Sequence, residues 1–352
     1  MMHSTLNCAD AEALQSLNSE NTVLEVENLC VDFKVRGKIV HILSNISFNL
    51  SRGETLGIIG ESGCGKSMTA LALMRMVPSP PGWISAGRIL MGDENLTQLS
   101  TKRMRTVRGR QISMIFQEPM TSLNPVYTVG NQIAETIRCH KDRNRSQALE
   151  EAVEMLRVVQ IPNPERLVRE YPHQLSGGMR QRVMIAMALA CEPKVLIADE
   201  PTTALDVTIQ AQIFDLLKEI QEARGTCIIL ITHDFGAVAE MADRVMVMYA
   251  GHKIEEGTVE EIRNDARHPY TKGLLQCMPE IKVDIGENRE RLPEIPGTVP
   301  DLLRGLSGCP FAPRCPFTML KCKELPPSFD LGNKRSVKCW LVRGDTYVKE
   351  SA

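Results

Sequence analysis

Short, fully apolar runs rich in β-branched residues alternate along this chain with longer stretches whose apolar positions recur every three to four residues. The runs predict buried strands at Val23–Val35, Thr55–Ile59, Ile112–Phe116, Val195–Ala198, Cys227–Thr232 and Arg244–Tyr249. The periodic stretches predict helices at Lys66–Val77, Arg145–Val159, Gly178–Cys191 and Ile209–Ala223. Buried strands taking turns with helices predict an α/β fold around a mostly parallel sheet. In Val23–Val35 and Ile46–Leu50 apolar and polar residues alternate, which suits an antiparallel flank. Between about Glu118 and Cys191 the pattern is helical with no convincing strand, the mark of a helical insert. After about Arg267 prolines become dense, from Pro269 and Pro279 to Pro326 and Pro327, and the periodicity is lost. The expected organisation is a loose polar tail over 1–22, an α/β domain over 23–266 with its insert at about 118–191, and a loop-rich C-terminal module over 267–352.

Composition narrows the classes. The 352 residues are 43% hydrophobic, enough for a sizeable core. Apolar runs such as Cys227–Ile231 fall far short of the roughly 18 residues that span a bilayer, so a soluble chain is expected. With 41 basic and 43 acidic residues the net charge is −2, which argues against a nucleic-acid partner. The basic run Lys102, Arg103, Arg105, Arg108 and Arg110 reads as a solvated helix face. The first 22 residues lack the basic start and apolar stretch of a secretory signal. Of the 11 cysteines, Cys8, Cys30, Cys64, Cys139, Cys191, Cys227 and Cys277 are scattered, as reduced thiols of a cytosolic protein are. The other four, Cys309, Cys315, Cys322 and Cys339, crowd together on a proline-stiffened stretch and suit a metal centre, whose metal the spacing leaves open.

The chemistry-bearing motif is Gly60-Glu61-Ser62-Gly63-Cys64-Gly65-Lys66-Ser67, followed by Met68, with the strand Leu56–Ile59 before it and the apolar helix Lys66–Val77 opening at its end. Glycines let backbone N–H groups close around a phosphate, and the helix start adds partial positive charge. Lys66 is expected to reach the β and γ phosphates, and the Ser67 hydroxyl to hold Mg²⁺. Cys64, beside a helix N-terminus, is a candidate for a lowered pKa and ATP-protected alkylation. A second strand, Val195–Ala198, delivers the adjacent carboxylates Asp199 and Glu200, fit for the metal and for the attacking water. Gln117 and His233 follow two further strands, which puts Lys66, Gln117, Asp199, Glu200 and His233 on one sheet edge. Leu175-Ser176-Gly177-Gly178-Met179 opens another helix with a bare N-terminus, a second anion site that suggests two chains sharing each nucleotide.

With the phosphate loop, Gln117, the Leu175–Met179 signature, Asp199-Glu200, Ala204-Leu205-Asp206 and Ile231-Thr232-His233-Asp234 in this order, the sequence from Val23 to about Ile262 closely resembles the ATP-binding-cassette ATPases. The resemblance implies a P-loop NTPase core of RecA-like type with an antiparallel flank and a helical subdomain. It implies ATP, with Mg²⁺ on Ser67, Gln117 and Asp199, and a head-to-tail pair in which residues 60–68 of one chain face Ser176, Gly177 and Gly178 of the other. Asp206 would lie at the seam, Glu200 would polarise water, His233 would contact the γ-phosphate, and Gln117 would couple the nucleotide to the insert. The adenine-stacking residue stays open between Phe33 and His41.

Phe116–Pro125, His268–Leu275 and Leu292–Pro300 resemble the dipeptide, oligopeptide and nickel importers of that family. This implies an ATPase subunit on the cytoplasmic face of a bacterial inner membrane, with two permease subunits, a second ATPase and an extracytoplasmic solute-binding protein. Relatives with a similar tail imply a [4Fe–4S] cluster on Cys309, Cys315, Cys322 and Cys339, with zinc as the alternative. A soluble non-transport cassette ATPase, a redox-regulated ATPase, and an importer of nickel, opines or other small solutes are the competing readings.

Overall fold

The computed structural model describes residues 21–117, 122–202, 205–277 and 294–342. Most of the expected N-terminal tail, Glu118–Thr121 of the importer-like segment, Ala204 and Leu292–Pro293 lie outside the described residues. In chain order the strands are β1 (Thr22–Val35), β2 (Lys38–Ser51), β3 (Thr55–Ile59), β4 (Gly82–Met91), β5 (Glu94–Asn95), β6 (Ile112–Ile115), β7 (Val195–Asp199), β8 (Cys227–Ile231), β9 (Arg244–Tyr249), β10 (His252–Thr258), β11 (Phe329–Gly332) and β12 (Arg335–Val337). An eight-stranded sheet runs β11-β12-β10-β9-β3-β8-β7-β6, and a four-stranded sheet runs β2-β1-β4-β5. β9, β3, β8, β7 and β6 are parallel, as the apolar runs predict. Every residue of β3, β7 and β8 is buried, so these strands need no alternation. The smaller sheet is antiparallel throughout, with β1 pairing β2 and β4.

The insert carries helices Val129–His140, Arg145–Val158, Pro164–Leu167 and Gly177–Leu189. Their starts are encoded locally. Thr128 caps the first, and Asn144 forms a capping box with Gln147 for the second. The helix after β3 ends at Leu73, short of the expected Val77, because Arg75 turns to a φ of 49°. The Arg108 guanidinium takes the carbonyls of Met74 and Arg75, each at 2.8 Å, so this member of the basic run caps a helix end instead of facing solvent.

The C-terminal segment is bound into the main sheet. β12 pairs with β10 through Glu255 and Val337, and with β11; β11 and β12 are two short strands that the loss of periodicity concealed. Glu255 is 1% exposed, and its carboxylate accepts the N–H groups of Arg267 (2.6 Å) and His268 (2.9 Å), fixing the chain as it leaves the sheet. Phe311 packs on Tyr249 and Tyr270, with ring centroids 5.3 and 5.4 Å apart. It is 2% exposed and belongs to the same apolar cluster as β7 and the insert helices. Phe311→Ala is therefore expected to destabilise the whole domain by about 3–5 kcal/mol, read as a lower urea midpoint. A loss under about 1 kcal/mol would mean that the segment is only an appendage.

Candidate nucleotide site

The loop from Gly60 to Ser67 joins β3 to the helix Lys66–Leu73 in a tight wrap. Gly60 has a φ of 152°, and a Cβ there would meet the Met248 carbonyl oxygen at 2.2 Å. Only glycine lets the chain pass so close to β9. Lys66, 7% exposed, arches back over the loop and donates to the carbonyls of Gly60 (2.7 Å) and Glu61 (3.2 Å). The first-turn N–H groups that follow have no partner inside their own helix, the usual condition of an anion site.

Asp199 and Glu200 are adjacent in sequence but serve different neighbours. Asp199 ends β7, is 4% exposed and accepts the Ser67 hydroxyl at 3.1 Å. Burial pushes its carboxyl up, and the Ser67 hydrogen bond opposes that rise. Glu200 turns into the left-handed region at φ 47°, held by its N–H to the Ile231 carbonyl at 2.8 Å. Its carboxylate receives the Gln117 amide at 2.7 Å on one oxygen and lies 3.4 Å from His233 Nδ1 on the other. Gln117 follows β6, Glu200 follows β7, His233 follows β8 and the Lys66 loop follows β3. Four neighbouring strands thus bring together the cation, the Ser67–Asp199 pair and the Gln117–Glu200–His233 group at their carboxyl ends.

The signature residues stand apart from this group. Ser176 caps its own helix, accepting the Met179 N–H at 3.3 Å. Gly178 lies under Ile209, whose Cγ2 would be 3.0 Å from an added Cβ. Ile209 in turn donates its N–H to the carboxylate of Asp206, the cap of helix Val207–Arg224, at 2.9 Å. Among the described residues no hydrogen bond joins Ser176–Gly178 to the Lys66 loop. Of the two adenine candidates, Phe33 packs against Gly82, whereas His41 is exposed and bonded to Asp32 at 2.7 Å.

Cys64 departs from its expectation. It is 1% exposed, and burial pushes its thiol up despite the nearby Lys66 ammonium. The four late cysteines are close enough for their charges to act on one another: burial raises Cys339 to about 12, and Cys309, Cys315 and Cys322 add to the rise. Burial likewise raises Cys315 to about 11. The backbone N–H groups of Phe311, Phe317 and Leu341 work the other way, each directed at the sulfur two residues earlier in the chain. Among the described residues no group of three or more His, Cys, Asp or Glu side chains is placed to hold a metal ion.

Behind the phosphate loop lie two residues that sequence reading overlooked. The Tyr270 hydroxyl accepts the Glu61 N–H at 2.8 Å across 209 positions, and Arg314 pairs with the Glu61 carboxylate across 253. No local pattern marks contacts of such range.

Residues 43–203 match the family model described as ABC transporter, and residues 254–322 match the oligopeptide/dipeptide transporter C-terminal region. The chain is 51% identical to the oligopeptide transport ATP-binding protein OppD of Bacillus subtilis (strain 168), over 92% of this chain and 90% of that protein. The chain belongs to the ABC transporter family. Identity to the dipeptide transport ATP-binding protein DppD of the same organism is also 51%, over 91% of this family member and 94% of DppD. Among solved structures, the cassette MJ0796 in a dimeric post-hydrolysis state with ADP and Pi superposes with a TM-score of 0.61 at 26% identity, covering 67% of this chain and 98% of that one. The cbiO1 cassette from Clostridium perfringens, part of the cbiONQ complex, gives 0.60 at 31% identity, covering 70% and 92%.

The burial of Cys64 sets an expectation opposite to ATP-protected alkylation. In the folded ABC protein, iodoacetamide followed by mass spectrometry should label the exposed Cys139 quickly and leave Cys64 unmodified until denaturant is added. Rapid native labelling of Cys64 would contradict this placement.

Proposed function

We propose that this chain is the ATP-hydrolysing subunit of a bacterial importer for di- or oligopeptides. The observation that carries the reading is the Glu200 carboxylate held between Gln117 and His233, one residue from the Ser67–Asp199 pair and on the rim that carries Lys66. The near full-length similarity to OppD and DppD supports peptides as cargo.

Lys66 and the helix start behind it offset the charge of the β and γ phosphates. Ser67 and Asp199, 3.1 Å apart, would hold Mg²⁺ together with Gln117. When bound, Mg²⁺ neutralises and orients phosphate oxygens. Glu200 orients the attacking water and takes its proton, and His233 steadies the γ-phosphate. Ser176, Gly177 and Gly178 bind the triphosphate held by a second ATPase subunit, with Asp206 at the seam beside Val207, which is 83% exposed. Two permease subunits dock on the insert. Val126 and Tyr127 stand exposed there, on a loop pinned by Gln132 through Asn124 and the Tyr127 carbonyl. No helix among the described residues is long and apolar enough to cross a membrane, which suits a peripheral subunit on the cytoplasmic face. A solute-binding protein outside delivers the peptide.

Cys309, Cys315, Cys322 and Cys339 are assigned to a [4Fe–4S] cluster. The support is chemical. The four thiols share one neighbourhood, close enough for Cys309, Cys315 and Cys322 to act on Cys339, and four thiols are a donor set that suits such a cluster. Zinc is the alternative that the same four sulfurs would hold. When bound, the cluster supplies a cross-link within the C-terminal segment.

Glu200→Gln is expected to bind ATP as tightly as the unaltered chain while turnover falls on the order of 10²–10⁴-fold, measured by nucleotide binding and phosphate release. Hydrolysis at the unaltered rate would remove Glu200 from its role. Anaerobically purified protein should contain roughly four irons and four sulfides per chain. Preparations free of iron and sulfide, or loaded with zinc, would refute the cluster.

A further inference from the structure

The phosphate loop contains a group that its task opposes. Glu61 follows Gly60 directly and adds a carboxylate to a loop built to hold a polyanion. The carboxylate is engaged from the C-terminal segment: Arg314 donates from Nη1 to Oε2 at 2.7 Å and from Nη2 to Oε1 at 3.0 Å, a two-pronged pairing. Every other N–H of this guanidinium is also used. Nε donates to the Pro296 carbonyl at 2.9 Å, Nη2 to the Ile295 carbonyl at 3.0 Å, and Nη1 to the Tyr249 hydroxyl at 3.3 Å. All five donors have an acceptor, which suits a side chain only 5% exposed. The Tyr249 ring lies 5.8 Å from the guanidinium carbon, and Tyr249 itself ends β9, the strand next to β3. The Tyr270 hydroxyl fixes the Glu61 backbone from the same side.

We propose that Arg314 is a positioning residue of the nucleotide site: it cancels the Glu61 charge and holds that carboxylate toward the C-terminal segment, so that the loop presents its backbone N–H groups and Lys66 to the triphosphate without an opposing charge. The C-terminal segment is then part of the ATP site and not merely attached to the domain that carries it. Removing Arg314 exposes the triphosphate to one uncompensated negative charge and loosens the loop at its second residue. The effect falls on ATP affinity, because Glu200, Gln117 and His233 belong to other strands.

This inference rests on the Lys66 loop being the ATP site, and the test separates the two. Affinity for a fluorescent ATP analogue and steady-state ATPase kinetics are measured on the full chain, with thermal melting to verify folding. Arg314→Ala should weaken binding and raise KM on the order of tenfold, as expected for one unpaired charge near the phosphates, with kcat within about twofold. Adding Glu61→Gln to Arg314→Ala should restore most of the affinity, because the charge to be cancelled is gone. Should Arg314→Ala fail to fold, Arg314→Lys serves instead. It keeps the charge but loses the fork, and a loss of about threefold is expected. Unchanged affinity in whichever Arg314 variant folds, or a loss that Glu61→Gln does not relieve, would overturn the proposal. Lys66→Ala that still binds the analogue at full strength would instead overturn the site assignment.

Discussion

The structure depends on one electrostatic requirement: a triphosphate must be met by backbone N–H groups, a cation and carboxylates that reach it from separate parts of the chain. A parallel sheet satisfies this because its strands end together. β3, β6, β7 and β8 each finish with one element of the site, and their buried cores leave no freedom of register. A one-residue slip in β7 would put Glu200 or Ala198 in the place of Asp199, breaking the bond to Ser67 and the separate bond of Glu200 to Gln117. Strand pairing therefore acts as the positioning device for the chemistry.

The C-terminal segment tightens the same arrangement from behind. β12 joins the sheet at β10, Phe311 fills the space between Tyr249 and Tyr270, and Arg314 reaches Glu61 from the turn that carries Cys309 and Cys315. Anything that fixes the thiol-bearing turn also fixes that guanidinium. A stretch without regular periodicity thus helps to fix the phosphate loop at Glu61.

Much of this was legible from residue order, for definite reasons. β3 and β9 match their sequence-read bounds because fully buried strands leave uninterrupted apolar runs. The glycine loop, Asp199-Glu200, Gln117 and His233 were legible because each is a local pattern at a strand end. β10 was not, since His252–Thr258 includes Glu255 and Glu256, buried carboxylates made tolerable by the Arg267 and His268 N–H groups and by Arg244 and Lys253. β4 was hidden because most of its residues are exposed or half-buried and leave no apolar run, and the Arg314–Glu61 pair because its members lie 253 positions apart. Cys64 misled for a related reason. Its place at a helix start suggested an activated thiol, but burial, which only the assembled fold reveals, outweighs the helix and the lysine.

The central claim is that one ATP is held by the Lys66 loop of one subunit and the Ser176–Gly178 helix start of another. A structure of the assembled transporter carrying Glu200→Gln, solved with Mg–ATP, tests it most directly. The account predicts each triphosphate against Lys66, with the signature helix of the facing ATPase subunit on its far side. A triphosphate enclosed by one subunit alone, with every Ser176 remote from it, would contradict the account.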